Sequence, residues 1–213
     1  MRRFEFSLPV LGDKVPSGPN WIHEVKYDGY RMRLERDGKK VRLITKNGAD
    51  WTSRYPWIVE SALRNRKEHF ILDGEVVVLG VDGVSNFDDL HSRKHDNEAQ
   101  LYAFDCLALN GDDLRQLPLH MRKTSLEEVL RNRTNGGIFR STFEGGAIGP
   151  ELFRAACEMG LEGLVSKDRD RAYKGGRCPH WIKIKNRKHP AMSRVLHGKR
   201  SQRNALQEPP LAK

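Results

Sequence analysis

Residues 21–31 read Trp21-Ile22-His23-Glu24-Val25-Lys26-Tyr27-Asp28-Gly29-Tyr30-Arg31. Apolar and polar residues alternate up to a lone lysine at the lip of an Asp-Gly turn, and an arginine stands just beyond it. Alternation of this kind predicts a strand, and Asp-Gly between two such runs is a strong hairpin signal. A lysine held on a rigid strand among other cations is also a candidate nucleophile, because an amine attacks phosphoryl or carbonyl centres only when unprotonated. Hairpin lysines far outnumber nucleophilic ones, so the rest of the chain has to choose between the two.

Working outward, residues 1–20 are punctuated by Pro and Gly and read as an ordered arm. Strands are predicted at about 21–27, 30–36 and 40–46, forming a meander. A helix follows over 55–68, with Pro56 in its first turn. The runs 70–79 and 101–109 are nearly continuous in apolar character and predict strands buried on both faces. A second helix starts near Pro118 and runs through Val129, where Ser125 and Glu128 have the spacing of a capping box and allow a break. A third spans Pro150 to about Met159 and is closed by Gly160. Strands at 162–167 and 180–186 flank a Gly175-Gly176 loop. Single helices between strand-rich stretches, without regular alternation, argue for an α+β fold.

At 213 residues the chain can bury one substantial core. Its 38% hydrophobic and 31% charged residues suit a soluble globular domain. Neither a spanning apolar run nor a signal-peptide core is present, so no membrane partner and a cytoplasmic location are expected. Three scattered cysteines suggest neither a disulfide framework nor a zinc site. The net charge of +10 points to a polyanionic partner. From Arg187 onward there are seven Lys or Arg against one Glu, which leaves only about +4 for the first 186 residues. Residues 189–213 are therefore read as a basic, disordered tail behind a domain spanning 1–188.

Four clusters accompany Lys26: Asp73-Gly74-Glu75, Tyr102-Ala103-Phe104-Asp105, Glu162-Gly163-Leu164-Val165-Ser166-Lys167, and Trp181-Ile182-Lys183-Ile184-Lys185. In the last, a period of two puts Lys183 and Lys185 on one face, about 7 Å apart, as a phosphate clamp requires. Taken singly, each has an ordinary reading: turn chemistry, core packing, a surface acid or a charged edge strand. Their order is more specific. Together they resemble the adenylation domain of ATP-dependent DNA ligases, within the wider family of covalent nucleotidyltransferases, over about residues 5–188.

That resemblance implies a ligase- and capping-type nucleotidyltransferase fold, in which mainly antiparallel sheets flanked by helices surround a nucleotide cleft. It implies that Lys26 carries AMP, that Glu24 contacts the adenine and that Arg31 helps to hold the ribose and phosphate. Glu75 would be the ribose or metal acid, Phe104 the aromatic stacked on adenine, Glu162 the metal acid, and Lys183 and Lys185 the α-phosphate lysines. Thr45-Lys46-Asn47-Gly48 stands where the family often has Ser-Arg-Asn-Gly. Lys46 keeps the charge there and lacks the planar two-pronged donor. ATP is the implied donor, Mg2+ the implied ion and nicked duplex DNA the implied partner, with nick sealing in repair or recombination as the outcome. On a regular strand Glu24 and Asp28 share the face of Lys26 and favour its charged form, so activation of Lys26 is expected once MgATP is bound. Such ligases continue into an OB-fold, for which the 28 residues after Lys185 are too few. Other repair proteins or the basic tail are expected to fill that role. Two alternatives stay open: an RNA ligase or capping-type enzyme, and a non-catalytic nucleic-acid-binding remnant.

Overall fold

The computed structural model describes residues 4–131 and 136–194. In chain order its elements are β1 (Ser7–Leu11), β2 (Trp21–Val25), β3 (Tyr30–Asp37), β4 (Lys40–Thr45), α1 (Pro56–Arg64), β5 (His69–Val77), α2 (Phe87–Ser92), β6 (Gln100–Leu109), β7 (Asp112–Asp113), α3 (Leu119–Leu130), β8 (Ile138–Arg140), β9 (Phe143–Gly145), α4 (Gly149–Glu158), β10 (Gly163–Asp168) and β11 (Gly176–Lys185). They form two sheets. One has the order β1-β11-β10-β2-β9; the other runs β4-β3-β5-β6-β7, with β8 added beside β6. All pairings between these strands are antiparallel except β1 with β11 and β6 with β8. The fold is therefore α+β and mainly antiparallel, as expected.

The decisive stretch behaves differently from its local signal. β2 and β3 do not pair: they lie in different sheets, so Asp28-Gly29 is a crossing between sheets and the first three strands are no meander. Gly29 is needed there for closeness, since a Cβ would lie 2.2 Å from the Val76 carbonyl oxygen. Lys26 thus stands at the seam of the two sheets.

Two apolar cores follow from this layout. The larger joins Met32, Leu34, Leu43, Leu72, Val76 and Leu101 of the second sheet to Ile58 of α1 and Leu126 of α3. The smaller lies between the sheets, where Phe104 and Leu107 of β6 meet Cys178 and Trp181 of β11, with Phe4 and Tyr173. β5 and β6 are largely buried on both faces, as their unbroken apolar runs predict.

Several boundaries need correction. The arm over 1–20 contains β1, an edge strand that tolerates Pro9 because one side of its ladder is unpaired. α1 ends at Arg64 rather than near 68. α3 is continuous, and Ser125 bonds back to the Met121 carbonyl instead of capping a new helix. α2, unforeseen, is capped by Asn86, whose side chain accepts from the Asp88 and Asp89 amides. β11 begins at Gly176 and takes in half of the expected Gly-Gly loop. Residues 189–194, assigned to a disordered tail, include the buried His189 and Ala191, with 191–194 helical. Residues 195–213 of that tail lie outside the described residues.

Candidate active site

The seam assembles the site from both sheets. The Lys26 amide donates to the Gly163 carbonyl at 2.9 Å, tying the chain just past β2 to the start of β10. Gly163 has φ +138°, and a Cβ would fall 2.0 Å from the Ile184 oxygen. Only glycine lets β10 approach β11 this closely. Glu162, the residue before it, thereby comes between two lysines: Lys26 Nζ is 2.6 Å from its Oε2 and Lys185 Nζ is 3.1 Å from its Oε1. Glu162 itself is 4% exposed. The acid that touches Lys26 is therefore Glu162. Glu24 and Asp28, which the strand pattern placed beside it, are engaged elsewhere, Glu24 by Lys123 and Lys167, and Asp28 by Arg194.

Glu24, Lys26, Arg31, Glu75 and Phe104 all line one cavity of about 80 Å³, together with Lys167. Ligand pockets run to roughly 300–1,000 Å³, so a nucleotide can occupy this one only by displacing side chains at its rim. On the cavity floor Arg31 forms a two-pronged pair with Asp73, Nε to Oδ1 at 2.5 Å and Nη2 to Oδ2 at 2.6 Å. Tyr173 Oη donates to the same Asp73 at 2.7 Å and accepts from the Ser7 amide at 2.9 Å, linking the sheets. The ring of Phe104 is already in cationic company: Arg31 lies 4.5 Å and Lys167 Nζ 4.1 Å from its centroid.

The rim is electrostatically unbalanced. Glu75, paired across strands with Arg31, has no hydrogen bond or ion pair among the described residues. Desolvation pushes its carboxyl up to about 7, against the opposing pull of Lys26 and Arg31. Desolvation also holds Lys183 below an ordinary lysine, helped by repulsion from Lys26, Lys185 and Lys46. Lys183 and Lys185 share a face of β11 as the period predicts, with Ile184 buried on the other. Lys46 is outside the small cavity, exposed on the wall of a neighbouring one of about 670 Å³ beside Phe6, Leu8 and Arg33. Sequence reasoning did not assign roles to Asp73, Lys123, Lys167 and Tyr173. Asp73 and Lys167 sit inside the sequence clusters around Glu75 and Glu162, whereas Lys123 and Tyr173 carry no local signal.

Two mainly antiparallel sheets meeting at a cleft, with a lysine at the seam and a lysine pair opposite, are the architecture of covalent nucleotidyltransferases. Residues 13–185 match the family described as ATP dependent DNA ligase domain. Over 188 residues the chain is 35% identical to the multifunctional non-homologous end joining protein LigD of Pseudomonas aeruginosa, covering 85% of this chain and 22% of that protein. It is 34% identical over 193 residues to the DNA ligase of Natronomonas pharaonis, covering 84% and 35%. A solved mycobacterial DNA ligase D, complexed with ATP and MES, superposes with a TM-score of 0.74 at 31% identity, covering 85% of this chain and 60% of that one. The chain belongs to the ATP-dependent DNA ligase family, and its fold is that of the adenylation domain. It spans about a fifth to a third of the length of these curated relatives. Among the described residues no helix is long and apolar enough to cross a membrane.

Proposed function

We propose that this chain transfers AMP from ATP to Lys26 and then to a DNA 5′-phosphate, the chemistry by which a nick is sealed in DNA repair. The observation that carries this reading is the convergence on one seam of a lysine, an acid bonded to it and a pair of further lysines, Lys183 and Lys185. Lys26 Nζ attacks the α-phosphorus, the N–P bond forms, and the bond to the pyrophosphate oxygen breaks. Glu162 Oε2, 2.6 Å from Nζ, is in reach of the proton that leaves. Lys183 and Lys185 offset charge on the phosphate oxygens, and the rigid strands hold Lys26 in line. The AMP carried by Lys26 then passes to the DNA 5′-phosphate, and an adjacent 3′-hydroxyl displaces it.

The residues fit a magnesium ion. Glu75 is a desolvated carboxyl group with no hydrogen bond or ion pair among the described residues, close to Glu162, and magnesium is commonly held by one or two carboxylates plus substrate phosphates. Glu75 and Glu162 would hold it, and when bound it neutralises phosphate charge. Lys46, on the wall of the larger cavity, faces the path by which the DNA phosphate approaches. Contact with other repair proteins belongs to this proposal, as does contact of the basic tail with DNA phosphates.

The test is incubation with α-labelled ATP and magnesium, followed by denaturing electrophoresis. Label should survive denaturation in the wild type and be absent in Lys26→Ala. A wild type that takes no label loses this function and keeps only nucleic-acid binding. Nicked duplexes with DNA or RNA strands then separate the ligase from an RNA-directed enzyme.

A further inference from the structure

α3 presents two successive buried cations, and each grips a different sheet. Arg122 forms a two-pronged pair with Asp105 of β6, at 2.8 and 2.9 Å. Its neighbour Lys123 reaches the other way, to Glu24 of β2, with Nζ 2.5 Å from Oε1. The second oxygen of Glu24 receives Lys167 Nζ at 2.7 Å, and that ammonium lies 4.1 Å from the ring centroids of both Phe104 and Trp181. Glu24 is 2% and Lys123 4% exposed. Among the described residues no hydrogen bond or ion pair joins Glu24, Lys123 or Lys167 to Lys26, Glu75 or Glu162, and Lys123 does not line the cavity.

A carboxylate this deep would ordinarily take up a proton. Although burial is the largest influence and acts upward, the two lysines outweigh it and hold Glu24 below the usual carboxylate range. An ionised carboxylate only accepts hydrogen bonds, and with one ammonium on each oxygen it keeps a lone pair on each for a ligand. In a cavity also lined by Phe104, Trp181 and Val165, such a group favours a purine that turns a 6-amino group towards it, as adenine has, over one that turns a 6-keto oxygen towards it, as guanine has.

We propose that Lys123 is a positioning residue for donor specificity: it keeps Glu24 an acceptor, and so makes the site prefer an adenine nucleotide over a guanine nucleotide. This rests on the function proposed above and on the contact of Glu24 with the 6-position of the base that the family resemblance implies. Without Lys123, Oε1 is left desolvated and unpaired, Glu24 binds a proton, and the same edge can donate to a keto oxygen. The loss falls on discrimination, whereas Lys26 and its phosphate contacts are untouched.

The measurement is calorimetric binding of the α,β-methylene analogues of ATP and GTP, which cannot transfer their nucleotide, to wild type, Lys123→Met and Lys123→Arg. Lys123→Met should lower the ATP-over-GTP affinity ratio about tenfold, the scale of a lost hydrogen-bond distinction. Lys123→Arg, which preserves the ion pair and so the fold, should lower it about threefold by displacing the donor. In a Glu24→Gln background Lys123→Met should change the ratio no further, because the two residues act as a unit. The proposal is overturned if neither single variant moves the ratio, or if Lys123→Met lowers it as much without Glu24. Should Lys123→Met fail to fold, the ratio of Lys123→Arg decides alone. Labelling of the wild type by α-labelled ATP is run alongside: label with an unmoved ratio sinks only this inference, and no label sinks the function beneath it.

Discussion

The floor and the rim of the cleft use the same residue types to opposite ends. On the floor every charge is matched: Arg31 with Asp73, Arg122 with Asp105, and Glu24 with Lys123 and Lys167. At the rim Lys26 and Lys185 share one acid, Glu162, while Lys183, Lys46 and Glu75 form no ion pair among the described residues. Buried charges that are paired tie strand to strand and α3 to both sheets, and their removal is felt as stability. Unmatched charges at a rim cost stability and are retained for a ligand that matches them.

The contrast can be broken from either side. On the floor, Arg122→Met leaves Asp105, fully buried, without its partner. It should cost about 3–5 kcal/mol, seen as a fall of about 10 °C or more in the melting temperature. At the rim, Lys183→Met should leave the melting temperature unchanged or raise it, because a repelled cation is removed. The same variant should slow lysyl-AMP formation about 10²–10³-fold, the usual loss for one charge-stabilising donor. A rim variant that unfolds, or a floor variant that leaves the melting temperature unmoved, would erase the distinction.

The smallest expected effect is a pH dependence. Glu75 keeps its proton in the folded protein up to about pH 7, whereas its ordinary value is 4.5. The folded state binds the extra proton between these values, so the stability it confers is full below about 4.5 and lost as pH rises through 7. Glu75→Gln should match the wild type near pH 4.5 and exceed it at pH 8, by on the order of 1–2 kcal/mol after solvent screening. Magnesium should narrow that gap by stabilising the wild type alone. Equal unfolding curves at pH 8 would mean that Glu75 is already satisfied.

What could be read in the sequence divides along the same line. The rim was legible because its residues sit in short clusters on single strands, where a period of two orders the side chains: Lys183 and Lys185 on one face, Glu162 before a glycine. The floor was largely hidden, because each of its pairs is closed by a residue far away in the chain. Lys123 meets Glu24 across 99 positions, and Tyr173 meets Asp73 across 100. No local pattern encodes such a partner. The Asp28-Gly29 turn misled for a related reason. Its composition suits a hairpin, and only the approach of Val76, from another strand, explains the glycine and sends β3 into the second sheet. β1 was missed because its partner, β11, lies at the far end of the chain and Pro9 obscures the pattern.

The central claim is that the seam lysine is the one that carries the nucleotide. Incubating the protein with ATP and magnesium, digesting it, and locating AMP by mass spectrometry tests this directly. The account predicts a single modified peptide with AMP on Lys26. AMP on Lys183, Lys185 or any other residue, or none at all, would contradict it.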